Sequence, residues 1–180
     1  MDPLESLEPR TWLRLGRQWW DDMIWGNSIT FDDYPLEEAV RLMRDLGFDG
    51  VEIWKHHLKR CKTDALRREF VNFADKMGLT MAGFNVVDEP YFQPFTTDAE
   101  MQATLEGLKA DLKVALSLGV LTVLTWEGVR PQGSSDQDCL ERYLPRLVEL
   151  FRAAIAFAAP VNARFLIEPH PFTLGMDDRF

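Results

Sequence analysis

A chain of 180 residues, 46% hydrophobic and 27% charged, is long enough for one well-packed domain and has the balance of a globular, soluble protein. Its net charge of -9 and the lack of any Lys/Arg run argue against nucleic acid as a partner. The acidic start "MDPLESLEPR" has no apolar core of a signal peptide, no apolar run reaches the length of a membrane span, and Cys61 and Cys139 lack metal-type spacing, so the chain reads as a cytoplasmic protein with two reduced thiols.

The first expected element is a strand, "MIWGNSITF" (Met23–Phe31), after which Asp32, Asp33 and Pro35 open a helix. Leu36, Val40, Met43 and Leu46 fall at helical spacing in it, and Gly47 ends it. "DGVEIW" (Asp49–Trp54) is a short second strand. The second helix is predicted from Thr63 to Met77, with Leu66, Phe70, Phe73 or Ala74, and Met77 on one stripe and Gly78 as a left-handed cap. "LTMAGFNVV" (Leu79–Val87) is the third strand. Thr97 followed by Glu100 forms a capping box, and Met101, Leu105, Leu108, Leu112 and Ala115 carry the third helix to Gly119. "VLTVLTW" (Val120–Trp126) is a fourth strand, apolar enough to be buried on both faces. A loop with Gly128, Pro131 and Gly133 leads to a fourth helix, residues 136–159, with a kink expected at Pro145. "ARFLIE" is the fifth strand.

Strand and helix alternate throughout, which calls for a parallel sheet, since antiparallel strands need no helical crossover. The first strand-to-helix turn, "GNSITFDDYP", has no glycine-rich phosphate cradle, which counts against a doubly wound dinucleotide-binding sheet. A (β/α) barrel is favoured by the polar residues Asn85, Glu127, Glu168 and His170, all at or just after the C-terminal ends of strands, where such barrels carry their active face. A carboxylate directly after Phe165, Leu166 and Ile167 is costly to bury without a partner, so Glu168 is either a capping or salt-bridging group at the strand end or a functional one.

The stretches "LEEAVRLMRDLGFDGVEIW", "GFN", "GVLTVLTWEG" and "FLIEPHPF", in that order, resemble the sugar phosphate isomerase/epimerase superfamily, the xylose-isomerase-like TIM barrels that include endonuclease IV-type enzymes. The resemblance starts near Met23, and residues 1–22, with Trp12, Trp19 and Trp20, read as an N-terminal extension. It implies that Glu168, ending the fifth strand, is a ligand of a divalent metal, with an Asp, a His and a second Glu supplied by later strands. Carboxylate and imidazole donors suit Mn²⁺, Co²⁺ or Mg²⁺. The expected fold is thus α/β of the TIM-barrel type, incomplete, with about five parallel strands and outer helices in residues 23–180. Two open sheet edges are expected to drive self-association.

The resemblance also implies roles at the strand ends. Glu168 and His170 are the catalytic candidates. Trp54 and Trp126 would stack on a sugar ring, or else pack in the core. Asn85 and Glu127 would hydrogen-bond sugar hydroxyls. His56 and His57 are adjacent, and on an extended strand at most one can face a site; His56 is taken as the substrate-binding candidate. The leading expectation is a metal-dependent isomerase or epimerase of a sugar or sugar phosphate, moving a proton next to a carbonyl, with its catalytic set incomplete in this chain. The alternatives are a truncated, non-catalytic fragment or pseudoenzyme that docks with a partner, and phosphodiester cleavage, which the charge and the three histidines oppose.

Overall fold

The computed structural model describes residues 23–87, 97–170 and 173. Five parallel strands form one sheet in the order β1-β2-β3-β4-β5. The described residues divide into two compact units, one of residues 23–83 and 117–120, the other of residues 84–87, 97–116, 121–170 and 173. The expected extension at residues 1–22 and the loop around residues 88–96 lie outside the described residues.

The first unit contains β1 (Trp25–Asn27), β2 (Gly50–Trp54), the start of β3 (Thr80–Asn85), α1 (Leu36–Asp45) and α2 (Asp64–Lys76). β1 pairs with β2 from Trp25↔Gly50 to Asn27↔Glu52. It stops well short of the expected Phe31, where Ser28–Phe31 instead form a 3₁₀ turn. Two side chains divert the backbone: the Asn27 Oδ1 accepts from Ile29 N–H at 2.9 Å, and the buried Ser28 hydroxyl accepts from Trp54 N–H at 2.8 Å. α1 buries Leu36, Ala39, Val40 and Met43. Leu46, expected on that stripe, is 67% exposed because it is already the C-cap, and the chain turns at Gly47, whose φ of 88° suits glycine. α2 is capped by Thr63 and buries Phe70, Val71 and Ala74, while Leu66, in its first turn, is exposed. The Arg67 guanidinium donates to Ser117 Oγ, to the Cys61 carbonyl and to Asp64 Oδ1, at 2.5, 2.9 and 2.5 Å. Cys61 and Cys139 are both free and buried.

The second unit holds the end of β3, β4 (Thr122–Thr125), β5 (Arg164–Ile167) and the helices α3 (Asp98–Ser117), α4 (Asp136–Asp138) and α5 (Leu144–Ala158). β4 lies between β3, through Phe84↔Val123 and Asn85↔Leu124, and β5, through Thr122↔Arg164 to Thr125↔Ile167. The capping box of α3 is complete: Thr97 N–H donates to Glu100 Oε2 at 2.8 Å, and Glu100 N–H donates to Thr97 Oγ1 at 3.2 Å. α3 buries Thr104, Leu108, Asp111, Leu112 and Ala115, so its inner face is rotated away from the expected Met101 and Leu105. Thr104 tolerates burial because its hydroxyl donates to the Glu100 carbonyl at 3.0 Å. Where one kinked helix was expected, a π turn at Cys139–Tyr143 separates α4 from α5. Pro145 has no N–H to offer the Glu141 carbonyl and its ring would collide with it, so the ladder widens just upstream.

β4 buries Val123 and Thr125, but Thr122 and Leu124 are partly exposed, so the strand is not buried on both faces. Leu166 and Ile167 of β5 are each 46% exposed. Among the described residues no helix is long and apolar enough to cross a membrane.

Candidate active site

The ends of β4 and β5 bring together four of the residues singled out from sequence. Trp126 and Glu127 follow β4 directly, and Glu168 and His170 follow β5. The imidazole of His170 stacks on the Trp126 indole, with ring centroids 4.1 Å apart and planes 25° from parallel. One face of Trp126 is therefore already covered, which leaves at most the other for a substrate ring. Its Nε1 is buried and meets no acceptor among the described residues. Glu127 is only 2% exposed, and its Oε1 accepts a short hydrogen bond from the Thr173 hydroxyl. Glu168 is exposed; its backbone N–H donates to the Thr125 carbonyl at 2.9 Å, which fixes the residue at the mouth of the β4–β5 pair.

Thr173, 5% exposed, carried no sequence signal. Its hydroxyl accepts from His170 N–H at 3.0 Å, and its own N–H donates to the His170 carbonyl at 2.9 Å. A threonine in a polar loop has no period or strand context to mark it, and only the closure of the loop onto β4 gives it these partners. Asn85 ends β3 in the same unit and is 2% exposed. Its Oδ1 accepts from Val87 N–H at 3.1 Å, so that oxygen serves the turn leaving the strand.

The first unit carries the remaining candidates at the end of β2. Trp54 is the last residue of the strand, and His56 and His57 lie on the 3₁₀ turn Lys55–Arg60. The premise that they sit on an extended strand does not hold. On a tight helical turn successive side chains are about 120° apart rather than opposed, and both rings reach Trp54, His56 at 4.7 Å and His57 edge-on at 5.7 Å. Burial lowers the His57 pKa from its usual value, and Lys59 adds to that. The backbone of Asp32 and Phe31 and the Asp32 carboxylate oppose the shift without outweighing it. A further polar contact went unread in the sequence: Asn27 Nδ2 donates to Glu52 Oε1 at 2.6 Å, across β1 and β2. The charge inside "GVEIW", together with Gly83, where a Cβ would come within 3.0 Å of Glu52 Oε2, was the available sign.

A family model described as xylose isomerase-like TIM barrel matches residues 40–176. The chain belongs to this family. Among solved structures it is similar to a probable 3-DHS dehydratase, AsbF, involved in petrobactin synthesis, from Bacillus anthracis, with 20% identity and a TM-score of 0.66 over 85% of this chain and 54% of that one. It is similar to an AP endonuclease, family 2, from Brucella melitensis, with 22% identity and a TM-score of 0.63 over 84% and 59%. It is also similar to the D-psicose 3-epimerase of Clostridium cellulolyticum H10, solved with D-tagatose, with 16% identity and a TM-score of 0.60 over 74% and 46%. These likenesses establish a shared fold, and the chain spans about half the length of the structures it matches. No curated protein matches the sequence.

Among the described residues no three His, Cys, Asp or Glu side chains lie together so as to hold an ion. Glu168 offers one exposed carboxylate, an oxygen donor of the kind a divalent cation takes, and any further protein ligands would come from outside the described residues.

Proposed function

We propose that this xylose isomerase-like chain acts on a sugar or sugar phosphate, moving a proton at the carbon next to a carbonyl. The observation that supports this reading is the grouping at the β4 and β5 ends: an exposed carboxylate, Glu168, two residues from an imidazole stacked on Trp126 and close in the chain to the buried Glu127 turn. Strand C-terminal ends are where this fold carries its chemistry. Glu168 is assigned as the carboxylate that contacts the reacting centre and as one ligand of a divalent metal, Mn²⁺, Co²⁺ or Mg²⁺, whose further ligands come from outside the described residues. His170 is assigned to proton transfer. Asn85, Trp126 and Glu127 are assigned to substrate hydroxyls and ring. In the first unit, Trp54 and His56 are assigned to substrate on their place after β2 alone.

The test is calorimetric titration of the 180-residue chain and of Glu168→Gln with Mn²⁺, repeated with a ketohexose such as the tagatose bound by the psicose epimerase. Weaker Mn²⁺ binding by Glu168→Gln is expected, and so is binding of the ketohexose by the unaltered chain. Equal Mn²⁺ binding by both chains removes Glu168 as a ligand, and absence of ketohexose binding by the unaltered chain removes the substrate class.

A further inference from the structure

The hydrogen bonds around Thr173 go beyond holding a loop in place. A threonine hydroxyl has one proton to donate and can accept. Here it accepts from His170 N–H at 3.0 Å, and its proton has two nearby acceptors: the Glu127 carboxylate and the His170 carbonyl at 2.6 Å. The carboxylate is the stronger acceptor, since hydrogen bonds to ionised groups are about twice as strong as neutral ones. The His170 carbonyl is in any case served by Thr173 N–H at 2.9 Å. The side chain thus runs a two-step chain from the His170 main chain through Thr173 Oγ1 to Glu127 Oε1.

The chain adds a buried side-chain link between the segments that follow β4 and β5. Glu127 is the residue after Trp126, and Thr173 lies three residues past His170. The Thr173–Glu127 contact therefore closes the gap one residue away from the stacked rings. A bridge between Val129 and Thr173 fixes the same pair of segments from the other side. Both polar partners are almost fully buried, Thr173 at 5% and Glu127 at 2% exposure, so water competes little for the bond.

We propose that Thr173 is a positioning residue, whose hydroxyl, bonded to Glu127, holds the His170 imidazole over the Trp126 indole. The proposal deepens the assignment of the β4 and β5 ends as the active face and takes its relevance from that assignment, but its readout does not depend on turnover. Stacking at 4.1 Å places the carbon-bound protons of the His170 ring in the shielding zone of the indole, so they resonate upfield of a free imidazole. The chain has three histidines, and His170→Gln identifies the resonance by its disappearance.

Spectra are recorded on the full chain at about pH 8, where an ordinary imidazole is neutral. Thr173→Val and Thr173→Ala, which lack the hydroxyl, are expected to lose the upfield displacement, while Thr173→Ser is expected to keep it, all with unchanged circular dichroism. Retention of the displacement in a folded Thr173→Val or Thr173→Ala chain overturns the proposal. So does its loss in Thr173→Ser, which would assign the hold to the methyl group. A chain that passes this test but binds no ketohexose leaves Thr173 as a positioning residue and refutes the substrate assignment alone.

Discussion

His57 carries a consequence for pH. Both of its ring nitrogens are buried, and neither makes a well-aligned hydrogen bond to a described residue. Burial, the largest cause, lowers its pKa in the fold from the usual 6.5. The unfolded chain therefore takes up a proton as the pH falls through about 6.5, while the folded chain does so only at lower pH, and protons in that window favour unfolding. The stability tied to His57 is complete above that window and is lost as the pH falls through it toward the depressed folded value. His57→Phe keeps the edge-on ring contact with Trp54 and removes the titration. Its melting temperature should fall less than that of the unaltered chain between about pH 7.5 and pH 5, and identical slopes would show that the imidazole is already solvated. Trp126 illustrates a related point: an indole N–H buried without a described acceptor has a cost that the stacked His170 ring does not repay, since a ring face accepts only weakly.

At the scale of elements, the first unit depends on Arg67. Its side chain is 13% exposed and donates to three oxygens, linking the first turn of α2 to Cys61 before it and to Ser117, the last residue of α3. Arg67→Ala should cost about 2 kcal/mol, because it strands a carbonyl and removes charge-assisted bonds. Denaturant unfolding would show this as a lower midpoint at unchanged slope, and a change near zero would mean water replaces all three bonds. The elements that read correctly from sequence are those whose signals are local. The Thr97–Glu100 box and the glycines at 47, 78 and 119 mark helix ends through their own backbone needs, and the structure uses them so. That the strands are parallel followed from alternation, but their order did not, since a doubly wound sheet alternates in the same way. What could not be read depended on distant partners. Ser28 ends β1 early because it meets Trp54, twenty-six residues on. The inner face of α3 turned because Thr104 found a carbonyl one turn back that lets it be buried. At the candidate site, the strand-end positions of Trp126, Glu127, Glu168 and His170 were legible from where apolar runs stop. That His170 lies on Trp126, and that Thr173 joins Glu127, required the loop to close and left no local trace.

For the molecule as a whole, the sheet order places β5 at an edge of the five strands. In a parallel ladder alternate residues direct their backbone groups to opposite neighbours. Arg164 and Glu168 donate to the carbonyls of Leu121 and Thr125, on the β4 side. Phe165 and Ile167 therefore turn their N–H and C=O groups to the side where no described strand lies. The same strand leaves Leu166 and Ile167 each 46% exposed. An apolar strand with unpaired backbone groups is a template for another strand, and proteins usually guard such edges with charge, proline or a covering element. Arg164 at the start of β5 is the strand's one charge. The purified 180-residue chain should therefore self-associate through β5, two copies meeting edge to edge, with a mass that rises with concentration. Leu166→Lys adds the kind of edge charge that discourages pairing, and Leu166 is exposed enough for the ammonium to stay in water. Sedimentation across a hundredfold range of concentration should show the variant closer to the monomer mass, with its melting little changed. If the unaltered chain is a monomer throughout, the β5 edge does not drive association, and if Leu166→Lys associates as strongly as the unaltered chain, the contact lies elsewhere on the surface.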